Sequence, residues 1–250
     1  MSPASLAFLV IAGFVSGGVN AVAGGGSLIV FPALLAVGFP PLTANVTNSV
    51  AQWPGYVGVV AGTQQELPGQ GRRLVLTGVV SAVGSAVGCL LLLVLPGAVF
   101  DAVVPVLVLL ASALLALQPS IRRWVGAPAE GGPDRNAVLL PAMFLAGVYG
   151  GYFGGALGVI LVATLALCTH DRLVRLNATK GVLSLIVATV TVVIFAVGAP
   201  VVWTAVAVLA PMTLLGGYVG ARLARRLSEN VLRWSVVVLG VAVGGYLLLT

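Results

Sequence analysis

The chain consists of long runs of apolar residues separated by short breaks rich in Gly, Pro or polar residues. The runs cover residues 5–22, 27–39, 42–63, 72–95, 97–117, 137–154, 156–169, 174–197, 200–224 and 231–249. Their apolar residues are continuous rather than alternating, and a helix that is apolar on all sides is typical of a membrane-embedded segment. Because a helix needs about 20 apolar residues to cross a bilayer, the pattern predicts an all-α polytopic membrane protein.

Two of these runs, 27–39 and 156–169, are too short to span comfortably, since the usual range is about 17–25 residues. Each follows a Gly-rich break, and short Gly-interrupted segments at corresponding places in two halves are typical of a transporter's binding site. Glycine permits close backbone approach, and the N-terminus of the helix after each break favours an anion. Helix packing is the alternative role of such glycines. The break residues expected to contact a substrate are Gly24, Gly25, Gly26, Ser27, Gly154, Gly155 and Gly158.

The two halves of the chain correspond to each other. A shift of 132 residues carries Asn45–Thr47 onto Asn177–Thr179 and, without a gap, Gly88 onto Gly220. Since Asn is scarce in this chain, its recurrence favours an internal repeat over chance similarity of apolar helices. We predict a first membrane repeat at 1–117, a cytoplasmic linker at 118–136 and a second membrane repeat at 137–250. Each repeat is expected to be a Gly-broken helical hairpin followed by three transmembrane helices.

Charged residues are few and lie on one side of this arrangement. Only 7% of the residues are charged, far below the roughly 25% of soluble domains, which excludes a soluble globular enzyme. The net charge is +6, but the Arg residues cluster on or beside the linkers at 64–73, 118–136, 170–175 and 225–233. This placement argues against a nucleic-acid binder, and the positive-inside rule makes these linkers cytoplasmic and both termini periplasmic. Each half then crosses the membrane an odd number of times, which makes the two repeats inverted, a transporter architecture.

Polar residues recur at the start of the third segment of each half. They are Asn45, Thr47, Asn48, Ser49 and Gln52 in the first half and Asn177, Thr179, Lys180 and Ser184 in the second. An unpaired polar group in hydrocarbon costs several kcal/mol, so these side chains need protein partners or a wet cavity. They either bond neighbouring helices or line a substrate site, and the repeat favours the substrate site because inverted repeats bring equivalent positions together near the midplane.

Lys180 is the only lysine in the chain and lies within an apolar segment. One interpretation is that its side chain extends to the cytoplasmic interface, since Arg172 is only about two turns away. The other is that it points inward, because an ionisable residue inside a membrane is by default a candidate functional group. In that case it supplies a positive charge for an anion.

The sequence contains no constellation typical of an enzyme. The only histidine, His170, lies in a linker, and Cys89 and Cys168 lie far apart within apolar runs, so neither a disulfide framework nor a metal site is indicated. No paired acids lie at membrane depth, and the Gly24–Gly26 run lacks the Lys-Ser/Thr of a phosphate-binding loop. We expect no catalytic residue, no metal and no cofactor.

Several residues carry a family resemblance. They are Gly17, Gly18, Gly24–Ser27, Pro32, Leu34, Ala44, Thr47 and Asn48 in the first half, and Gly150, Gly151, Gly154, Gly155, Gly158 and Ala178–Lys180 in the second. Together they resemble the paired repeats of the TauE/SafE sulfite exporter family, also called the 4-toluene sulfonate uptake permeases. The resemblance implies a multi-pass carrier of the bacterial inner membrane for sulfite, sulfonates or related sulfur-containing anions.

The resulting hypothesis is a secondary transporter of a small sulfur-containing anion that works by alternating access. An anion channel or facilitator is the first alternative, and a membrane-embedded enzyme is the second. The expected partners are the small anionic substrate and the lipid bilayer, with no nucleic acid. The oligomeric state stays open, a homo-oligomer included.

Overall fold

The computed structural model of the chain describes residues 1–125, 134–223 and 229–249. These residues form ten α-helices and one short 3₁₀ turn, with no strand among them. The helices of the first half are α1 (Pro3–Val22), α2 (Ser27–Ala36), α3 (Pro41–Thr63), α4 (Gly71–Val94) and α5 (Gly97–Val125). Those of the second half are α6 (Asn136–Tyr152), α7 (Leu157–Cys168), α8 (Leu173–Gly198), α9 (Trp203–Leu223) and α10 (Glu229–Leu249).

Five of the described helices are long and apolar enough to cross a membrane, namely α1, α4, α5, α8 and α9. Large apolar side chains cover much of the outer surface; Val79, for example, is 59% exposed and Val197 is 91% exposed. An apolar exterior of this extent suits lipid rather than water. The chain is therefore a multi-pass helical membrane protein, as the apolar runs predicted.

Helix α5 is longer than its apolar run. The run ends at residue 117, whereas the helix continues to Val125, inside the segment 118–136 that the sequence assigns to a linker. Arg and Gln are good helix formers, so a charged residue ends the membrane-embedded stretch without ending the helix. Residues 126–133 of that predicted linker lie outside the described residues.

Helices α3 and α8 lie at the centre of the molecule and contact each other. The main contacts come in pairs when α1–α5 are matched in order with α6–α10. Helix α1 packs on α9 as α6 packs on α4, and α3 packs on α9 as α8 packs on α4. Helix α2 contacts α10 as α7 contacts α5.

Small residues permit the closest of these contacts. A Cβ on Gly84 or Gly88 of α4 would collide with the backbone of α6, and a Cβ on Gly216 or Gly220 of α9 would collide with that of α1. These glycines are equivalent under the shift of 132 residues, and close backbone approach is how membrane helices without large interlocking side chains gain packing energy. The paired contacts place the two Gly-rich breaks in the middle of the bundle.

Candidate substrate-binding site

The Gly-rich breaks are sharp turns between helices. In the first half α1 ends at Val22 and α2 begins at Ser27, and the chain turns at Gly24, whose φ is 78°. In the second half the turn between α6 and α7 contains Gly154, whose φ is 75°. Both angles lie in the left-handed region that glycine adopts without a steric penalty. The breaks thus begin the short helices α2 and α7 at equivalent places, as the sequence predicted.

The two breaks touch each other. A Cβ built on Gly158, in the first turn of α7, would lie 2.7 Å from the Cα atom of Gly24. Gly25 lies against the side chain of Leu115, and Gly155 lies against Phe153 and Ala111, so both of these glycines also sit in confined positions. The backbones at the two turns therefore form one continuous centre built from both halves.

A buried network of amide and hydroxyl groups closes the first break. Asn20 donates from Nδ2 to Oε1 of Gln52 at 2.9 Å and accepts at Oδ1 from the backbone N–H of Gly26 at 2.8 Å. Gln52 donates from Nε2 to Oγ of Ser16 at 2.6 Å and to Oδ1 of Asn48 at 3.3 Å, and Ser16 donates to the carbonyl of Gly26 at 2.8 Å. The network ties α1, the turn and α3 together around the N-terminus of α2.

Lys180 points into the interior. Its Nζ atom lies 3.3 Å from the carbonyl oxygen of Asn20 and 3.5 Å from that of Ala21, near the C-terminal end of α1. The side chain is 3% exposed, and its stem passes Gly158, where a Cβ would lie 3.2 Å from the Cδ atom of Lys180. Of the two orientations that the sequence allowed, this is the inward one. The ammonium group is thus held beside the contact between the two breaks.

The two equivalent Asn residues lie at different places. Asn45 donates from Nδ2 to the carbonyl of Tyr152, the last residue of α6, at 3.0 Å. Asn177 lines a pocket of about 510 Å³ together with Ala21, Gln64 and Arg222. The Oδ1 atoms of both Asn side chains are buried without a hydrogen-bond partner in the structure. An unpartnered buried acceptor costs free energy, so each is a position where a further donor would stabilise the protein.

The two equivalent Thr residues form hydrogen bonds at opposite ends of the helix bundle. Thr47 of α3 accepts at Oγ1 from the backbone N–H of Val202, which lies between α8 and α9, at 3.0 Å. Thr179 of α8 donates from Oγ1 to Oε1 of Gln70, which lies just before α4, at 2.7 Å. The shift of 132 residues that relates the two Thr residues also relates Gln70 to Val202. Their hydroxyl groups contact the segments between helices rather than the central cavity.

The end of the bundle at Thr179 carries an ionic network. Arg73 of α4 pairs with Asp134 at 2.8 Å and with Asp171 at 2.9 Å, and Arg175 of α8 pairs with Asp171 at 3.4 Å. Arg175 also donates to the carbonyl of Glu66 at 3.4 Å. We call this end, formed by residues 64–70, 134–136 and 170–172, the linker face. A pocket of about 740 Å³ opens on it and is lined by Arg72, Arg73, Arg172, Arg175 and both aspartates.

The central cavity between the halves is nearly closed. Its volume is about 20 Å³, and it is lined by Ser27, Gln52 and Tyr56 from the first half and by Gly154 and Ser184, among others, from the second. A volume of about 10–15 Å³ is enough for one water molecule, and a sulfur oxyanion needs several times more. The space at this position in the structure is therefore too small for such an anion.

The sequence did not single out Ser16, Asn20 or Tyr56 as site residues, whereas Gln52 belongs to the polar residues expected near the substrate. The spacing of these polar residues could have indicated a shared site. Ser16 and Asn20, like Asn48 and Gln52, are four residues apart and so share one face of an apolar helix. No group of His, Cys, Asp or Glu suited to a metal ion occurs within the described ranges.

Comparison with known proteins gives a consistent picture. Residues 9–247 match the sequence model of the family described as sulfite exporter TauE/SafE. A relative from Sinorhizobium sp., described as "Probable membrane transporter protein ORF9", is 25% identical over 95% of this chain and 90% of its own. Two further relatives carry similar descriptions. The one from Haemophilus influenzae is 26% identical over 94% of this chain and 91% of its own. The one from Escherichia coli K12 is 27% identical over 99% of this chain and 91% of its own. No solved structure gives a significant match.

Proposed function

This chain belongs to the sulfite exporter TauE/SafE family, and on that premise we propose that it is a secondary transporter of small sulfur-containing anions. Sulfite and organic sulfonates are the substrate classes that the proposal names. The observation that carries it is the position of Lys180, whose ammonium group is buried where the Gly-rich breaks of the two halves meet. A cation held at the centre of a membrane protein suits an anionic substrate.

The proposed binding site combines this charge with neutral donors. Gly24–Ser27 and Gly154–Gly158 begin the short helices α2 and α7, whose N-termini favour an anion. In the nearly closed state, the N–H of Gly26 is bonded to Asn20. An arriving oxyanion would take over such donors, and Asn20 would keep its hydrogen bond to Gln52. Asn48, at the equivalent position to Lys180, belongs to the same network.

Alternating access of two inverted repeats is the mechanism we propose. The paired helix contacts and the Arg residues at the linkers support it. Thr47 and Thr179 would act as gate residues, each closing one end of the central pathway. In this scheme the linker face is cytoplasmic, both termini are periplasmic and the protein lies in the bacterial inner membrane.

Flux measurements with purified protein in proteoliposomes test this proposal. The panel comprises sulfite, a small sulfonate and, as controls, chloride and acetate. We expect saturable flux of the sulfur oxyanions and acceleration of labelled substrate uptake by unlabelled substrate inside the vesicles. Flux without this counterflow would favour the channel alternative, and absence of flux for every anion would contradict the proposal. A conversion product of the substrate would instead favour an enzyme.

A further inference from the structure

The contacts of Lys180 also bear on the coupling of transport. Its ammonium group lies on two backbone carbonyl oxygens, those of Asn20 and Ala21, in the last turn of α1. The C-terminal end of a helix carries roughly half a negative charge, and in transporters with broken helices such carbonyls coordinate the co-transported cation. The ammonium group of Lys180 thus contacts backbone carbonyl groups of the kind that coordinate a metal cation in such transporters.

The second half lacks this feature. Its equivalent helix end, that of α6, is bonded at the Tyr152 carbonyl by the neutral amide of Asn45. The residue equivalent to Lys180 is Asn48, which belongs to the amide network around Gln52. A positively charged side chain thus contacts the C-terminal end of α1, whereas a neutral amide contacts the equivalent end of α6. Helix packing alone therefore does not require a positive charge at this position.

Among the described residues, no carboxylate lies beside Lys180 in the contacts that the structure shows. The acidic side chains that the structure describes are Glu66, Asp101, Asp134 and Asp171, and they lie in segments between helices or near a helix start. Asp134 and Asp171 are engaged by Arg73. The Lys180 ammonium group lies at the centre of the bundle, and an ionisable residue inside a membrane is by default a candidate functional group.

We propose that the ammonium group of Lys180 takes the place of a co-transported cation at the C-terminal carbonyls of α1. The anion therefore moves without Na⁺. The inference rests on the transporter function proposed above and specifies how the same site is coupled. The membrane potential would then drive the anion, and the lysine would balance its charge within the site.

A binding measurement tests the cation position without relying on transport. Thermal unfolding of the purified protein is recorded in sodium, methylammonium or choline chloride at one ionic strength. In Lys180→Ala the vacated carbonyls should accept Na⁺ or methylammonium, and the unfolding temperature should rise by at least about 2 °C relative to choline. The wild type should show no such difference. Leu183→Ala, which removes a buried apolar side chain one turn further along α8, is the matched control and should also show none.

Transport by the wild-type protein is the second test and does not depend on the folding of a variant. Initial rates of sulfite flux are compared in sodium and choline at a fixed potential and equal pH on both sides. We expect equal rates. A loss of about tenfold or more without Na⁺ would overturn the inference while leaving the transporter function intact. Absence of flux for every anion would overturn the proposed function on which the inference rests. If anions are transported, an unfolding temperature of Lys180→Ala that does not respond to either cation would overturn the inference alone.

Discussion

Gly24 and Gly158 contact each other backbone to backbone: a Cβ built on Gly24 would lie 2.8 Å from the Cα atom of Gly158. The two residues belong to different halves of the chain, and each lies at a Gly-rich break. A side chain at either position would separate the breaks and displace the stem of Lys180, which runs beside Gly158. The geometry of the proposed site therefore depends on this pair.

The first prediction concerns Gly24→Ala, with Gly38→Ala as its control. Both positions have positive φ, 78° and 100°, and alanine there costs about 1–2 kcal/mol of conformational strain. Only Gly24→Ala adds a steric clash, worth about 1–3 kcal/mol, because nothing lies within 4 Å of a Cβ on Gly38. We expect Gly24→Ala to lose transport and to unfold at a lower temperature than Gly38→Ala, which should retain flux. Equal stability and flux of the two variants would contradict the close contact.

The second prediction concerns the pair Asn20 and Gln52. Asn20→Ala and Gln52→Ala should each cost about 1–3 kcal/mol, because each leaves buried amide groups without partners. The double variant should cost less than the sum, by about 0.5–3 kcal/mol, since the first substitution already breaks the shared bond. Denaturant unfolding of all four proteins in the cycle measures this coupling. Thr63→Ala, whose hydroxyl donates to the Val59 carbonyl within α3, should cost little, and strict additivity of the two amide substitutions would contradict the network.

Sequence reasoning located the elements well because the relevant patterns are local. A continuous apolar run predicts a helix from its own residues, and a Gly cluster predicts a turn. Neither prediction needs information about any other segment of the chain. The turns at Gly24 and Gly154 and the short helices after them lie where the runs placed them. The end of α5 differed, because helix-forming residues continue past the last apolar one.

The partners of polar side chains could not be predicted in this way. The hydrogen bond between Asn20 and Gln52 depends on how α1 packs against α3. A single sequence does not show which helices pack against each other. For the same reason the sequence left two orientations open for Lys180. Thr179 was expected near a substrate, and the structure places its hydroxyl on Gln70 at the linker face. The polar pattern indicated which residues needed partners, while the packing determined which partners they found.

The third prediction compares Lys180→Gln with Arg72→Gln. Both substitutions remove one positive charge, but Lys180 is 3% exposed whereas Arg72 lies exposed at the linker face. Water and salt screen the exposed charge, and the interior does not. A hydrogen bond to a charged group contributes about 1.5–3 kcal/mol, so the apparent affinity for sulfite should fall roughly ten- to a hundredfold in Lys180→Gln and little in Arg72→Gln. Equal affinities at matched expression would remove Lys180 from the proposed site.

The fourth prediction concerns orientation. From the Arg residues of the linkers and the positive-inside rule, we predict that these segments are cytoplasmic and that the C-terminus is periplasmic. A fusion reporter that is active only in the cytoplasm should be silent after the last residue and active when inserted in the linker 126–133. A strong signal at the C-terminus would contradict both the orientation and the inverted repeat.

The last prediction concerns the two gates. Thr179→Val removes the hydrogen bond to Gln70 at the linker face, and Thr47→Val removes the acceptor of the Val202 N–H at the other end of the central helices. A hydrogen bond contributes about 0.5–1.5 kcal/mol, so each substitution should raise the population open at its own end by roughly two- to tenfold. The two variants should therefore shift access in opposite directions.

Accessibility of the central cavity measures this shift. Ser184 is 2% exposed and lines the cavity, so Ser184→Cys, with Cys89 and Cys168 replaced by Ala, reports whether a membrane-impermeant thiol reagent reaches the centre. In Thr179→Val the labelling rate should rise only when the reagent is applied from the linker face. In Thr47→Val it should rise only from the opposite face, because the hydrogen bond between Thr179 and Gln70 at the linker face is still present. A rise from the same face in both variants would mean that the two hydroxyl groups do not control separate gates.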